Sequence, residues 1–144
     1  MARIELLPQV EQVKDKGYEI LYFTENVDEF AVRMMQSYQE KEFQSVLDSK
    51  LDLDSEEEKK ALEEKQEASK DMLEAVKKAL EGKVGNVKLS GHLKSHPVCL
   101  SSEGDLSMEM AKTLNAMPGS EGQKLQAQTV LEINPEHAIY QKLM

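Results

Sequence analysis

The chain has 144 residues, of which 40% are apolar and 31% are charged, and it carries a formal net charge of −9 with a pI near 4.9. This apolar fraction is sufficient for a packed core and excludes a wholly disordered chain. The acidic balance argues against binding to nucleic-acid phosphates or to an anionic membrane surface, because both usually require a basic face. With one cysteine, no apolar run long enough to span a bilayer and no signal-peptide pattern, the sequence predicts a soluble cytoplasmic protein.

The beginning of the chain predicts a short helix followed by a strand. The helix spans 6–16, with Pro8 at an early helical position and Gly17 directly after its end. In the next segment, YEILYFT (18–24), four consecutive residues are apolar. A continuous apolar run of this kind favours a strand that is covered on both faces, as in a parallel sheet.

A second helix and a second strand are predicted to complete a small βαβ unit. Asn26 and Glu29 have the spacing of a capping box and would begin a helix over 27–38. A shorter strand over 42–46 follows, so that strand, helix and strand make a βαβ unit with a right-handed crossover. The inner face of the helix would consist of Val27, Phe30, Ala31, Met34, Met35 and Tyr38.

An acidic stretch, DSKLDLDSEEE, interrupts the regular pattern after this unit. Because the stretch has few apolar residues and no regular spacing, we expect an acidic linker at 48–57. The linker would divide the chain into a first module, 1–47, and a second module, 58–144.

One long helix is predicted at the start of the second module, over 55–80. Its first half consists mostly of Glu, Lys, Gln and Ala, so we expect that half to project into solvent or fray. Gly82 is placed to end the helix. The apolar stripe lies only in the second half and consists of Met72, Leu73, Val76 and Leu80.

Three strands and a final helix are predicted after the long helix. The strands cover 84–90, 97–101 and 129–134, and the last of these is the most strongly β-patterned. Asn134 and Pro135 have the order typical of a helix cap and first turn. The expected fold class is therefore mixed α/β, with a three-stranded sheet. The final helix would turn inward Ile139, Tyr140 and Leu143.

The segment GDLSMEMAKTLNAM (104–117) predicts a short amphipathic helix that projects from this sheet. Asp105 is placed to cap its first turn, and Pro118-Gly119 is placed to end it. A core helix and an adaptable binding surface are both open interpretations, since methionine is flexible and common where varied partners must fit. Apolar residues spaced by four, four and three positions line one face, namely Leu106, Met110, Leu114 and Met117.

The residues with ligand-like chemistry are His92, His96 and Cys99. They raise two alternative functions, a small cysteine-based hydrolase and a metal-binding regulatory module. The segment supplies too few ligands for a metal site. A half-buried structural thiol is the simpler state of Cys99. The glycines follow no phosphate-binding pattern, so no catalytic residue, metal ligand or cofactor site is predicted.

Four segments, read in order, resemble the ninety-kilodalton heat-shock chaperones of the bacterial high-temperature protein G type. They are KGYEILYFTENVDEFAVRMM (16–35), KLSGHLKSHPVCLS (88–101), SMEMAKTLNAM (107–117) and LEINPEH (131–137). The first looks like the end of the family's middle domain, and the others look like the start of its C-terminal domain. Their order matches that of the family, and the resemblance extends over nearly the whole chain.

The resemblance implies that the complete protein is an ATP-dependent, homodimeric, cytoplasmic chaperone of the heat-shock response that binds unfolded proteins and assists their folding. It identifies 1–47 with the end of the middle domain and 58–144 with a C-terminal domain that lacks its final dimerisation helices. The family's nucleotide domain and its catalytic arginine would lie outside this chain. We therefore expect no ATPase activity, no cofactor and a monomer here, with ATP and magnesium used by the full-length protein.

The resemblance also implies a site for client proteins. The family's C-terminal domain carries an amphipathic helix that points into the cleft between the subunits and contacts clients, and 107–117 matches it. Thr113 occupies a position where relatives often have an apolar residue, which weakens that one contact. The implied client-binding residues are Leu106, Met110 and Leu114, with Met117 extending the stripe.

Overall fold

The structure is a computed structural model, and it describes residues 7–51, 53–104, 106–118 and 125–144. These residues form six helices and two small sheets, which confirms the predicted mixed α/β class. In chain order the elements are α1 (Pro8–Asp15), α2 (Asp28–Met35), β1 (Ser37–Tyr38), β2 (Lys41–Glu42), α3 (Glu56–Ala68), α4 (Lys70–Ala79), β3 (Asn86–Leu89), β4 (Val98–Glu103), α5 (Met108–Ala116), β5 (Gln128–Ile133) and α6 (Ala138–Leu143).

The three predicted strands of the second module form one sheet with the order β3-β5-β4. The central strand β5 is parallel to β3, with Leu89 opposite Ile133, and antiparallel to β4, with Cys99 opposite Glu132. Side chains alternate across a strand, so this register gives the sheet one apolar face and one polar face. Val87, Leu89 and Ile133 are buried on the apolar face.

Helices α3 and α4 cover the apolar face of the sheet. Ser55 begins α3 with a capping box, because its hydroxyl accepts from the Glu58 N–H and the Glu58 carboxylate accepts from the Ser55 N–H. Gly82 follows α4 with a positive φ of 80°, in the place that was predicted for it. The core cluster on this face consists of Leu73, Val87, Leu89 and Ile133, with Leu62, Met72, Val76, Val84, Leu131 and Tyr140 packed around them.

The predicted single helix over 55–80 is interrupted at Ser69. This residue is buried, and its hydroxyl donates to the Lys65 carbonyl at 2.6 Å and also contacts the Tyr140 hydroxyl. A serine that bonds to the preceding turn bends a helix, which accounts for the break between α3 and α4. The prediction that the first half projects into solvent or frays is wrong. No residue of α3 is fully buried, but Leu62 packs against the core and the Gln66 side chain accepts from the Leu89 N–H at 3.3 Å.

Helix α1 lies beside the polar face of the sheet. Pro8 stands in its first turn, Val10 and Val13 are buried, and the Gln9 amide donates to the Leu100 carbonyl at 2.8 Å. Next to β4, the Ser102 N–H donates to the Leu47 carbonyl at 2.7 Å. Segment 47–49 therefore lies against the sheet, while the division into two modules at 48–57 stays a prediction.

The prediction of a βαβ unit in the first module is wrong. The segment 18–24 is not a strand, because no strand of the described residues pairs with it. Strands β1 and β2 instead pair with each other as an antiparallel hairpin. Gln39 and Glu40, the two residues of its turn, both have positive φ, as two-residue hairpin turns require.

The predicted inner face of the helix over 27–38 is also not buried. Helix α2 is shorter, it contains no buried residue, and Met34 is 86% exposed. Asn26 does not cap it. The Asp28 carboxylate instead binds the loop before the helix, where it accepts from the N–H groups of Thr24 and Glu25 at 3.0 Å each.

The predicted start of the final helix at Asn134 is also wrong. Asn134 has no exposed surface, and its amide donates to the Lys94 and His96 carbonyls at 3.0 Å each. Its side-chain oxygen accepts from the Glu136 N–H at 2.9 Å, but this bond closes a turn over 135–136 and not a helix, and α6 begins later, with His137 as its N-cap. Of the residues predicted to face inward, Tyr140 packs against the core, whereas Ile139 and Leu143 are exposed.

Candidate functional site

Helix α5 carries the candidate binding residues. Its N-cap is Ser107, whose hydroxyl accepts from the Met110 N–H at 3.0 Å. The helix ends at Ala116, two residues before Pro118, and the Met117 N–H donates to the Leu114 carbonyl at 3.3 Å. The predicted helix at this place is confirmed in a shorter form, while the predicted cap Asp105 and the predicted stop residue Gly119 lie outside the described residues.

The predicted apolar stripe of α5 is partly accessible. Leu106, Met110 and Leu114 are half-buried, and Met117 is 47% exposed. Ala111, which lies beside the stripe rather than on it, is the buried residue of the helix. The helix thus docks through a small residue and leaves longer apolar side chains in partial contact with solvent, an arrangement that leaves room for a partner.

Polar side chains attach α5 to the rest of the structure at both of its ends. At the first turn, the Ser107 hydroxyl donates to the Glu29 carboxylate of α2 at 2.8 Å. Near the last turn, the Asn115 amide donates to the Leu125 carbonyl at 2.7 Å and accepts from the Leu125 N–H at 2.9 Å. The sequence reasoning missed these residues. A serine directly before an apolar run is a recognisable cap signal, but no local pattern indicates the contact with Glu29.

His92 and His96 both lie beside side chains of α1. Nδ1 of His92 lies 2.8 Å from the Gln12 amide oxygen. Nδ1 of His96 lies 3.1 Å from the Ser95 hydroxyl and 3.6 Å from a Glu11 carboxylate oxygen. Both rings therefore join α1 to the loop that precedes β4, which is a structural role.

The Cys99 thiol is buried on the polar face of the sheet, opposite Glu132. Burial, together with the negative charge of the Glu132 carboxylate, raises the pKa of Cys99 to about 12. The carboxylate itself accepts from the Ser101 hydroxyl at 2.6 Å and lies 3.6 Å from the Lys88 ammonium. A thiol in this state forms almost no thiolate near neutral pH, so its surroundings do not activate it as a nucleophile.

The described residues contain neither a cluster of metal-ligating side chains nor a membrane-spanning helix. Within 7–51, 53–104, 106–118 and 125–144, no three His, Cys, Asp or Glu side chains come together as a possible metal site. In the same part of the chain, every helix is too short or too polar to cross a bilayer. The alternative functions based on His92, His96 and Cys99 therefore have no support.

Comparison with known proteins gives matches along the entire sequence. The family model described as Hsp90 protein matches residues 1–144. Similar relatives are the chaperone protein HtpG of Bacillus subtilis, 55% identical over 98% of this chain, and that of Clostridium perfringens, 54% identical over 98%. A third is the chaperone protein HtpG of Halalkalibacterium halodurans, 53% identical over 99%. The chain covers 22% of the length of each of these relatives.

Proposed function

Because the chain belongs to the Hsp90 protein family, we propose that it is a client-binding and structural portion of an ATP-dependent chaperone that assists protein folding. The observation that carries the proposal is the accessible stripe of α5. Leu106, Met110, Leu114 and Met117 are the proposed client contacts. Unfolded proteins expose apolar side chains, and a partly open apolar stripe can bury them by the hydrophobic effect.

The composition of the stripe suits partners of varied shape. Met110 and Met117 are unbranched, so each can change rotamer to fit a different apolar group. A surface that must accept many sequences benefits from this adaptability more than from a rigid pocket. The polar attachments at Ser107 and Asn115 keep the helix in place while the side chains between them adapt.

We also propose that this chain neither binds nor hydrolyses ATP, and that it has no cofactor of its own. The support is in the sequence, where the glycines at 82, 85 and 91 do not form a phosphate-binding loop that leads into a helix. ATP and magnesium would be used by the full-length protein. Titration calorimetry with ATP and magnesium tests this proposal, and saturable heat at micromolar protein would contradict it.

The remaining proposals concern assembly and location. The full-length protein would be a homodimer in the cytoplasm, whereas this chain would be a monomer. An obligate dimer interface usually buries more than about 2,000 Å². Helix α3, the longest described helix, is highly charged and does not offer an apolar area of that kind. Sedimentation equilibrium should therefore give a mass near 16.3 kDa.

The test of client binding is the double substitution Met110→Ser and Leu114→Ser. We expect it to weaken the suppression of aggregation of heat-denatured citrate synthase. Because both side chains are only half-buried, the free energy of unfolding should fall by about 1 kcal/mol per substitution. Urea denaturation measures this second quantity.

The matched control is Leu143→Ser with Met144→Ser, which removes the same two side-chain types from exposed positions on and next to α6. This control should leave the suppression of aggregation unchanged. If the α5 variant instead lost several kcal/mol, as buried Leu or Met truncations do at roughly 2–5 kcal/mol each, the stripe would belong to the core. Equal loss of suppression in both variants would also contradict the proposal.

A further inference from the structure

We propose that Glu29 is the positioning residue of the client-binding helix α5, and this inference rests on the function proposed above. Glu29 lies on α2, in a part of the sequence 78 residues away from its partner Ser107. It therefore links two helices that no short connection holds together. In this role Glu29 need not contact a client, because it acts through the first turn of α5.

The hydrogen bonds of Ser107 assign a direction to this link. A serine hydroxyl has one proton to donate and accepts through its oxygen. At Ser107 the oxygen accepts from the Met110 N–H at 3.0 Å, as an N-cap does, so its proton is free to be donated to the Glu29 carboxylate at 2.8 Å. One hydroxyl therefore both caps α5 and attaches it to α2, and a single orientation of that hydroxyl makes both hydrogen bonds.

Burial strengthens the link. Ser107 is 3% exposed, so its hydroxyl has little access to water and depends on its protein partners. A hydrogen bond to an ionised carboxylate is roughly twice as strong as one between neutral groups. The other Glu29 oxygen accepts from the Arg33 guanidinium at 3.3 and 3.4 Å, which keeps the carboxylate turned in a fixed direction.

The consequence for the stripe follows from the length of the helix. Helix α5 has 9 residues, and isolated helices shorter than about 12–15 residues are marginal in water. Its first turn carries Met110, so a shift of the Ser107 attachment moves the stripe directly. Asn115 fixes the other end, and the two attachments together determine how the apolar side chains are presented.

The experiment compares Glu29→Ala with Glu29→Gln, since glutamine keeps an acceptor oxygen at the same reach. Hydrogen exchange of the α5 amides and suppression of citrate synthase aggregation are measured on the whole chain. In Glu29→Ala, exchange protection of α5 should fall roughly tenfold or more, as expected when a hydrogen bond to a charged acceptor is lost. Suppression of aggregation should fall with it, and Glu29→Gln, which keeps a neutral acceptor, should restore roughly half of both. The control Glu25→Ala, an exposed carboxylate next to α2, should change neither.

A second arm tests whether Glu29 acts through Ser107. In a double-mutant cycle, Glu29→Ala should have little further effect on α5 exchange once Ser107→Ala is present. Three results would each overturn the positioning role. They are additive effects of the two substitutions on α5 exchange, unchanged α5 exchange in Glu29→Ala, and equal losses of exchange protection in Glu29→Ala and Glu29→Gln. If Met110→Ser with Leu114→Ser leaves suppression unchanged, the proposed function fails instead, and the exchange measurements still decide the link between Glu29 and Ser107.

Discussion

The three-stranded sheet and the segment 18–38 contain the same kinds of apolar residue, but only the sheet buries them. Leu89 is 1% exposed because α3 and α4 cover its face of the sheet. Leu21 is 55% exposed, and no strand of the described residues pairs with its segment. Both regions show a regular apolar pattern. An apolar sequence pattern therefore indicates which face of an element can be buried. Whether that face is buried depends on another element that packs against it, and the pattern does not say which element that is.

Polar contacts also join α1 and the segment 18–38 to residues in the second half of the chain. Gln12 of α1 reaches His92, and Glu29 of α2 reaches Ser107. A typical hydrogen bond adds only about 0.5–1.5 kcal/mol to stability, but its geometry is specific. We infer that the apolar face of the sheet supplies much of the stability. The polar contacts help to fix the positions of α1 and α5, together with the buried residues Val10, Val13 and Ala111.

The largest expected effect is the difference in the free energy of unfolding between Leu89→Ala and Leu21→Ala. Truncating a buried leucine costs about 2–5 kcal/mol, because it removes apolar contacts and leaves a cavity. Truncating an exposed leucine usually changes stability by no more than about 0.5 kcal/mol. Urea denaturation of both variants measures the two free energies of unfolding. Equal losses would mean that 18–24 is buried in solution and that the contrast between the regions is wrong.

The sequence predicted the sheet well because strand signals are local. Val87 and Leu89 alternate with polar residues, and the register with β5 puts both on the buried face, as that alternation requires. The run YEILYFT has an equally strong signal, yet a strand also needs a hydrogen-bonding partner, which lies beyond any local pattern. The fold class could therefore be predicted, whereas the βαβ unit could not.

The candidate site divides in the same way. The spacing of Met110 and Leu114 is local, and it placed both on one side of a helix that the structure contains, whereas Leu106 lies before the N-cap of that helix. The contact between Glu29 and Ser107 spans 78 residues, so it depends on tertiary structure alone. Asn134 shows a further reason for error, because Asn-Pro-Glu fits both a helix cap and a turn with a buried amide.

A smaller difference in stability is expected between alanine substitutions of the two asparagines that were predicted as helix caps. Asn134→Ala leaves the Lys94 and His96 carbonyls without their donor inside the fold. The loss of such a buried partner costs roughly 1–3 kcal/mol. Asn26→Ala should cost almost nothing, because no side chain caps α2 from the N-cap position. Thermal or urea unfolding distinguishes the two, and a cost for Asn26→Ala above that for Asn134→Ala would reverse the comparison.

The smallest effect concerns the contact between α1 and the loop before β4, and it depends on pH. Hydrogen bonds from Ser95, reinforced by nearby His96, lower the pKa of Glu11 below its ordinary value of 4.5. A carboxylate with a lowered pKa in the folded state binds protons more readily when unfolded, so it stabilises the fold above the unfolded pKa. That contribution is lost as the pH falls through the folded pKa.

Glu11→Gln should therefore lower stability near neutral pH, and the deficit relative to the unmodified chain should disappear in acid. The carboxylate is partly exposed, so solvent screening limits the effect to about 0.5 kcal/mol. Urea midpoints measured from about pH 6 to about pH 3 follow the deficit across the titration of the carboxylate. The control is Glu19→Gln, which removes an exposed carboxylate from 18–24, where no comparable contact with the sheet region is present among the described residues. A deficit for Glu11→Gln that stayed constant down to the lowest pH would show that the charge of Glu11 does not hold α1 against the loop.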